Sequence, residues 1–107
     1  MKVVNLSEQP SLLNQYLKEL RSVDTQKDSM RFRRNIERIG EIMSYEISKT
    51  LNYAPKAVNT PLGTAMVNLP IDNIVLATIL RAGLPLHQGF LNYFDSAENA
   101  FVSAYRK

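Results

Sequence analysis

Residues 74–83 read Ile-Val-Leu-Ala-Thr-Ile-Leu-Arg-Ala-Gly, and this stretch decides the fold. Its first seven residues show no alternation of polar and apolar side chains, a pattern typical of a strand covered on both faces in a parallel sheet. We therefore predict a strand over 74–80 with both faces buried. Gly83 permits a tight turn, and Pro85 is tolerated in the first turn of a helix that should run for about ten residues.

A second apolar stretch follows that helix after a break at 95–96. Residues 100–105 read Ala-Phe-Val-Ser-Ala-Tyr, which is rich in β-forming residues. Strand, helix and strand together predict a βαβ unit, the building block of parallel sheets. The predicted fold class is therefore α/β.

The residues before this unit predict two helices and a hairpin. Apolar side chains at helical spacing indicate a short helix over 7–21 and a longer one that begins near Thr25 and Asp28, which resemble a capping box, and ends at about Asn52. Proline and glycine then punctuate two short strands, 57–60 and 64–69, joined by a turn over 60–63.

Composition limits the class of protein. The 107 residues are 45% hydrophobic and 21% charged, which suits one modest core. There is no cysteine, so disulfides and thiolate metal sites are excluded. The first six residues are too short and polar for a signal peptide or membrane span, and a formal charge of +3 is far from a nucleic-acid binder. We expect a cytoplasmic protein with neither a membrane nor a nucleic acid as partner.

Two arginines mark the candidate site, because each directly follows a predicted strand. Arg81 comes after the first strand and Arg106 after the second, and ligands of open α/β sheets bind at the carboxyl ends of strands. A guanidinium group matches phosphate oxygens, and the helix start after Gly83 offers backbone amides to an anion. The alternative is that these arginines simply lead the chain from the core into water. Both interpretations remain open on these residues alone.

Other polar residues carry weaker signals. His87 is the single histidine and has no ligand at metal-binding spacing, so a surface or packing role is favoured over catalysis. Arg31, Arg33 and Arg34 form a basic cluster that fits a solvated helix face, with an effector site or subunit interface as the alternative. No catalytic residue and no metal ligand is predicted.

Several short motifs, in order and at characteristic spacing, resemble the uracil phosphoribosyltransferases. The most specific is the Ile-Leu-Arg-Ala-Gly element at 79–83, and the others are Arg31-Phe32-Arg33, Tyr45-Glu46, Thr60-Pro61-Leu62-Gly63 and Gly89. The resemblance runs from about Asp24 to Arg106, and the residues before it match only loosely. It implies a type I phosphoribosyltransferase fold, a parallel sheet flanked by helices, here incomplete and with a long N-terminal helix and a small hairpin.

The resemblance also implies an activity, the transfer of ribose 5-phosphate from 5-phosphoribosyl-1-pyrophosphate to uracil, which yields UMP and pyrophosphate. In the family, positions matching Arg81, Ala82, Gly83 and Arg106 contact 5-phosphoribosyl-1-pyrophosphate, and magnesium is held through the substrate's phosphates. A GTP effector and a homo-oligomer, dimer or tetramer, are further features that the resemblance suggests.

The chain departs from the family because the phosphate loop and the uracil-reading segment, which normally follow Arg106, are absent. We expect 1–107 to be the amino-terminal part of a single domain, with an arm and short helix over 1–23 and the family-like segment over 24–107. Alone it should be inactive. The alternative is a non-catalytic module on this fold, such as an RNA-binding pyrimidine attenuator or an inactive transferase-like domain. The attenuators carry a different turn sequence, which favours the enzyme.

Overall fold

The computed structural model describes residues 3–104, which form three α-helices and four strands. A short 3-10 turn, Leu6–Glu8, precedes them. The elements in chain order are α1 (Leu12–Arg21), α2 (Ser29–Ser48), β1 (Tyr53–Thr60), β2 (Gly63–Pro70), β3 (Val75–Leu80), α3 (Leu84–Tyr93) and β4 (Glu98–Ser103). No helix among these residues is long and apolar enough to cross a membrane.

The predicted βαβ unit is confirmed, except that its second strand, β4, covers Glu98–Ser103 and not 100–105, and so ends two residues earlier than predicted. β3 and β4 pair in parallel, with Val75 opposite Glu98 and Leu80 opposite Ser103, and α3 connects them. α3 begins directly after Gly83 and carries Pro85 in its first turn, where the missing N–H costs no helical hydrogen bond. The helix packs on β3 and on α2, so the described part of the molecule is a two-stranded parallel sheet backed by helices.

The prediction that both faces of β3 are buried is wrong for the described residues. Exposure alternates along the strand, and the side chains of Val75 and Ile79 are 58% and 60% exposed. The reason is that α3 covers one face of the sheet, whereas no element within 3–104 covers the other. The second face is apolar in sequence and open in structure.

The helices cross where two glycines meet. Gly40 of α2 and Gly89 of α3 are both buried, and a β-carbon built on Gly89 would lie 2.9 Å from the Cα atom of Gly40. A side chain at either position would collide with backbone of the other helix. The two helices therefore approach each other backbone to backbone.

A polar network joins α1 to α2. Glu19 accepts hydrogen bonds from Arg31 Nη1 at 2.9 Å and from Asn35 Nδ2 at 3.0 Å, and Arg38 donates to Asn35 Oδ1 at 3.0 Å. Asn35 is fully buried, and buried amides are stable only when hydrogen-bonded. Leu13 of α1 is the buried apolar side chain at this contact. α1 is thus held by both polar and apolar contacts.

The predicted limits of both amino-terminal helices are wrong by several residues. The helix expected over 7–21 is the 3-10 turn followed by α1, because Pro10 disfavours helical backbone at Gln9 and Ser11 supplies the cap. α2 is capped by Asp28, whereas Thr25 donates its hydroxyl to Glu19 O at 2.7 Å. α2 ends at Ser48, and turns follow up to Leu51.

The Asp28 cap gives a direct test of the start of α2. Asp28 Oδ1 accepts a hydrogen bond from Arg31 N at 3.0 Å, so Asp28→Ala leaves that amide without its partner. We expect the variant to lose ~1 kcal/mol of stability, measured by urea unfolding followed by circular dichroism. Asp28→Asn is the matched control, because asparagine caps equally well. Equal losses in the two variants would contradict the assignment of the cap.

The predicted hairpin is confirmed with longer strands. β1 and β2 pair antiparallel from Tyr53 opposite Pro70 to Thr60 opposite Gly63, which has φ of 129° and so occupies a conformation that favours glycine. Tyr53, at the base of the hairpin, donates its hydroxyl to Ser48 O at the end of α2 at 2.6 Å. Apart from this hydrogen bond, the backbone of the hairpin approaches no other helix or strand within residues 3–104. At its base the side chain of Asp72 accepts hydrogen bonds from Asn52, at 2.8 Å from the backbone N and 3.1 Å from Nδ2.

Candidate functional site

The turn over 81–83 is held in one conformation by backbone hydrogen bonds. Gly83 N donates to Ile79 O at 3.0 Å, and Leu84 N donates to Arg81 O at 3.1 Å. The peptide bond between Leu80 and Arg81 is cis. A β-carbon on Gly83 would lie 2.1 Å from Thr78 Oγ1 and 2.8 Å from Ile79 O, so the close packing of the turn requires glycine.

Fewer backbone amides are free to bind an anion at the start of α3 than the sequence predicted. Leu84 N is already donated to Arg81 O, and Pro85 has no N–H to offer. Gly83 precedes the helix and provides no capping side chain. An anion at this turn would therefore be bound mainly by the Arg81 side chain, with less help from the helix terminus than the sequence suggested.

Arg81 is exposed and available to a ligand. Within residues 3–104, no carboxylate forms a salt bridge with its guanidinium group. Ala82 is exposed beside it, and Gly83 is half-buried beneath. A planar cation with free donors at a tight turn suits recognition of phosphate oxygens.

Arg81 borders a cleft at the carboxyl edge of the parallel strands. The cleft has a volume of about 430 Å³ and is lined by Leu80, Arg81, Ser103 and Ala104. This is the edge where open α/β sheets bind ligands. Arg106 lies outside the described residues, so its convergence with Arg81 stays a prediction. The ends of β3 and β4, where Leu80 pairs with Ser103, nevertheless line one cleft together with Arg81.

The basic cluster at the head of α2 divides into paired and unpaired members. Arg31 forms a salt bridge with Glu19, and Arg34 forms one with Glu37, each at 2.9 Å. Arg33 has no such partner among the described residues. Arg33 and Arg34 line a second cavity of about 620 Å³ between α2, α3 and β4, which Arg31 does not line. The three arginines therefore do not form one common site.

His87 is the polar residue whose place in the site the sequence did not reveal. Its side chain is 8% exposed, and its Nε2 atom lies 2.7 Å from Asn99 Oδ1 in β4. Its ring centroid is 5.2 Å from that of Phe101. Of the surface and packing roles that the sequence left open, the structure shows packing. The sequence did not indicate that β4 is the strand His87 contacts. The available signal was the pairing of Asn99 and Phe101, two residues apart on one face of a strand.

The side chains of residues 3–104 hold no group of three or more acidic, histidine or cysteine residues that could bind a metal. A divalent cation at the Arg81 cleft would thus need most of its ligands from the substrate or from other residues. Magnesium commonly binds in this way, through phosphate oxygens and water.

Sequence comparison relates nearly the whole chain to one family. The family model for uracil phosphoribosyltransferase matches residues 7–107. The uracil phosphoribosyltransferase of Porphyromonas gingivalis is 61% identical over 107 residues, which cover all of this chain and 50% of that protein. That of Methanococcus maripaludis is 39% identical over 106 residues, covering 97% of this chain and 45% of that protein. The chain spans about half the length of these curated relatives.

Structural comparison also relates this chain to a little under half of a longer protein. The structure of the AQ2163 protein from Aquifex aeolicus superposes with a TM-score of 0.75 and 28% sequence identity. The match covers 87% of this chain and 44% of that one. The described elements therefore occur together, in the same arrangement, within a larger protein.

Proposed function

The chain belongs to the uracil phosphoribosyltransferase family, and we propose that residues 1–107 are the amino-terminal half of one such enzyme domain. The reaction would join uracil to 5-phosphoribosyl-1-pyrophosphate, giving UMP and pyrophosphate. The observation that carries the proposal is Arg81, an unpaired cation within the described residues, on the wall of a cleft at the carboxyl edge of the sheet. That cleft has the place and the charge that a pyrophosphate group needs.

The chemistry explains why a fixed arginine matters. The bond between the anomeric carbon and the pyrophosphate oxygen breaks, the bond from that carbon to uracil N1 forms, and uracil loses its N1 proton. Negative charge therefore builds on the departing pyrophosphate. We assign Arg81 to that group, with Ala82 and Gly83 letting the backbone come close, and Arg106 as a second cation. A preorganised cation stabilises such charge without reorganising during the reaction.

Magnesium belongs to this proposal as a substrate-borne ion. It would be held by the phosphate and ribose oxygens of 5-phosphoribosyl-1-pyrophosphate and would neutralise part of their charge. The protein's part is to orient those oxygens against the Arg81 turn. The close contact of Gly83 with Thr78 and Ile79 fixes the path of the turn for that purpose.

A homo-oligomer is supported by the hairpin. A two-stranded hairpin alone is only marginally stable in water. Beyond the hydrogen bond from Tyr53 to Ser48 O at its base, β1–β2 packs on no other described element, and Met66 is 66% exposed. We propose that a second subunit covers it, in a dimer or a tetramer. For a GTP effector we propose the cavity lined by Arg33 and Arg34. A cytoplasmic location fits a chain without cysteine.

The non-catalytic alternative receives less support. An RNA-binding module needs a field of free cations, whereas Arg31 and Arg34 are both in ion pairs and the formal charge is only +3. The enzyme is therefore the function that we propose.

The test is UMP formation from uracil and 5-phosphoribosyl-1-pyrophosphate. We expect the full-length protein to form UMP and a polypeptide of residues 1–107 alone to form none, because one wall of the cleft and the uncovered sheet face would lack their partners. Adding the carboxyl-terminal half of the P. gingivalis relative, produced separately, should restore UMP formation. Intact mass, measured on the same samples, identifies the chains present.

Two results would contradict the proposal. Failure of the full-length protein to form UMP would exclude the enzyme and favour the non-catalytic module. UMP formation by residues 1–107 alone would show that the second half is dispensable.

A further inference from the structure

β4 is attached to the rest of the described molecule mainly through its parallel ladder with β3. It pairs with β3 along one edge, and its backbone does not approach α3 or α2. Among the hydrogen bonds of residues 3–104, the one between His87 Nε2 and Asn99 Oδ1 is the bond that joins a helix to β4. It is 2.7 Å long, and the imidazole is nearly buried. A single side-chain contact thus anchors the strand to the helical layer.

The backbone of His87 is also hydrogen-bonded to the Arg81–Gly83 turn. His87 N donates to Gly83 O at 2.9 Å, and Gly83 N in turn donates to Ile79 O at 3.0 Å. The backbone of His87 therefore belongs to the Arg81–Gly83 turn, while its side chain reaches β4. No other residue in the described part of the chain makes both connections by hydrogen bonds.

The two connections meet at the cleft. Asn99 and Phe101 lie on one face of β4, opposite Leu76 and Thr78 of β3. Both are touched by the His87 ring, Asn99 through Nε2 and Phe101 at 5.2 Å between centroids. Further along, Ser103 at the end of β4 and its neighbour Ala104 line the cleft together with Leu80 and Arg81. The position of these two residues depends on how β4 is held.

We propose that His87 is a positioning residue. The ladder sets the separation of β3 and β4, and His87, through Asn99, restrains how β4 is oriented against α3 and so where Ser103 and Ala104 lie at the cleft. His87 is not among the residues that line the cleft, and its Nε2 atom is occupied by Asn99, so it acts through the strand. The consequence for 5-phosphoribosyl-1-pyrophosphate binding rests on the proposed function, whereas the restraint on β4 does not.

The experiment compares Asn99→Val with Asn99→Asp in the full-length protein. Valine keeps the strand propensity and removes the acceptor, whereas aspartate keeps an acceptor oxygen for His87. For Asn99→Val we expect amide hydrogen exchange in β4 to rise by about fivefold to tenfold, as loss of one part-buried hydrogen bond implies, with exchange in α2 unchanged. The KM for 5-phosphoribosyl-1-pyrophosphate should rise by about the same factor, with the KM for uracil unchanged. Asn99→Asp should restore both.

A second pair of variants tests the partner. His87→Leu should reproduce the effects of Asn99→Val, and the double variant should be no worse than either single one, because both remove the same contact. Gln15→Ala, at an exposed position of α1 that lines neither the Arg81 cleft nor the cavity of Arg33 and Arg34, is the control and should change neither β4 exchange nor either KM.

Three results would overturn the inference. These are unchanged β4 exchange in Asn99→Val, an equal rise of exchange in α2 and β4, or equal changes in the two KM values. Absence of 5-phosphoribosyl-1-pyrophosphate binding by the unmodified protein would instead overturn the proposed function, and the exchange data would then decide the His87 restraint on their own.

Discussion

Gly89→Ala is expected to destabilise the protein by about 3 kcal/mol, the upper end of the range for overpacked interiors. The new β-carbon would lie 2.2 Å from Glu37 O, 2.9 Å from Gly40 Cα and 3.0 Å from Glu41 N. All three are backbone atoms of α2, so no side-chain rotation relieves the collision. The helices must move apart, and α3 carries the Arg81 turn at its start. Urea unfolding followed by circular dichroism gives the loss.

Gln15→Ala is the control, because it places alanine at an exposed position of a described helix, α1. Its stability should stay within about 0.5 kcal/mol of the unmodified protein. In an unconstrained helix, alanine is favoured over glycine by about 1 kcal/mol. A Gly89→Ala variant that is as stable as the unmodified protein, or more so, would therefore show that α2 and α3 do not cross at this distance.

The second large effect is on activity. In the full-length protein, Arg81→Ala should lower kcat for UMP formation by about 10² to 10³, the range for loss of one preorganised group that stabilises transition-state charge. Arg81→Lys should recover only part of this, because lysine keeps the charge and loses the planar fork. Steady-state kinetics with varied 5-phosphoribosyl-1-pyrophosphate measures both.

Two controls separate binding from folding in that experiment. Arg21→Ala removes the same charge from an exposed position on α1 and should leave kcat within about twofold, as remote surface substitutions do. The melting temperature of Arg81→Ala should equal that of the unmodified protein, since Arg81 is exposed and forms no salt bridge within residues 3–104. Full activity in Arg81→Ala would remove this arginine from the reaction.

The βαβ unit and the hairpin were predictable because their signals are local. The apolar residues 74–80 and the Gly83 turn with Pro85 specify strand, turn and helix in sequence order. The burial of β3 was not predictable in the same way. An apolar side chain indicates that a strand position can pack against another element. Whether it is buried depends on whether that element is present. Ile79 is apolar and yet 60% exposed.

The limits of the amino-terminal helices and the contact of His87 with β4 could not be predicted for a related reason. Thr25 has the sequence signature of a cap, but its hydroxyl is donated to Glu19 O in α1, a competition that only the folded arrangement reveals. His87 and Asn99 are twelve residues apart on different elements, and no periodicity connects them. Arg81, in contrast, was found from its place after a strand, because topology alone brings that position to the sheet edge.

The base of the hairpin has a consequence for how this protein can change over evolutionary time. Asn52 and Asp72 are hydrogen-bonded to each other across the two ends of the hairpin, and Ile71 N donates to Asn52 O at 2.9 Å. These hydrogen bonds connect the two ends of the hairpin directly, and beyond the base, where Tyr53 donates to Ser48 O, the hairpin strands make no hydrogen bond to the rest of the described chain. Insertions, deletions or a new tip sequence in this segment leave the α2–α3 crossing and the Arg81 turn untouched. The sequence of the hairpin can therefore change together with the surface that it contacts, while the Arg81–Gly83 turn stays the same.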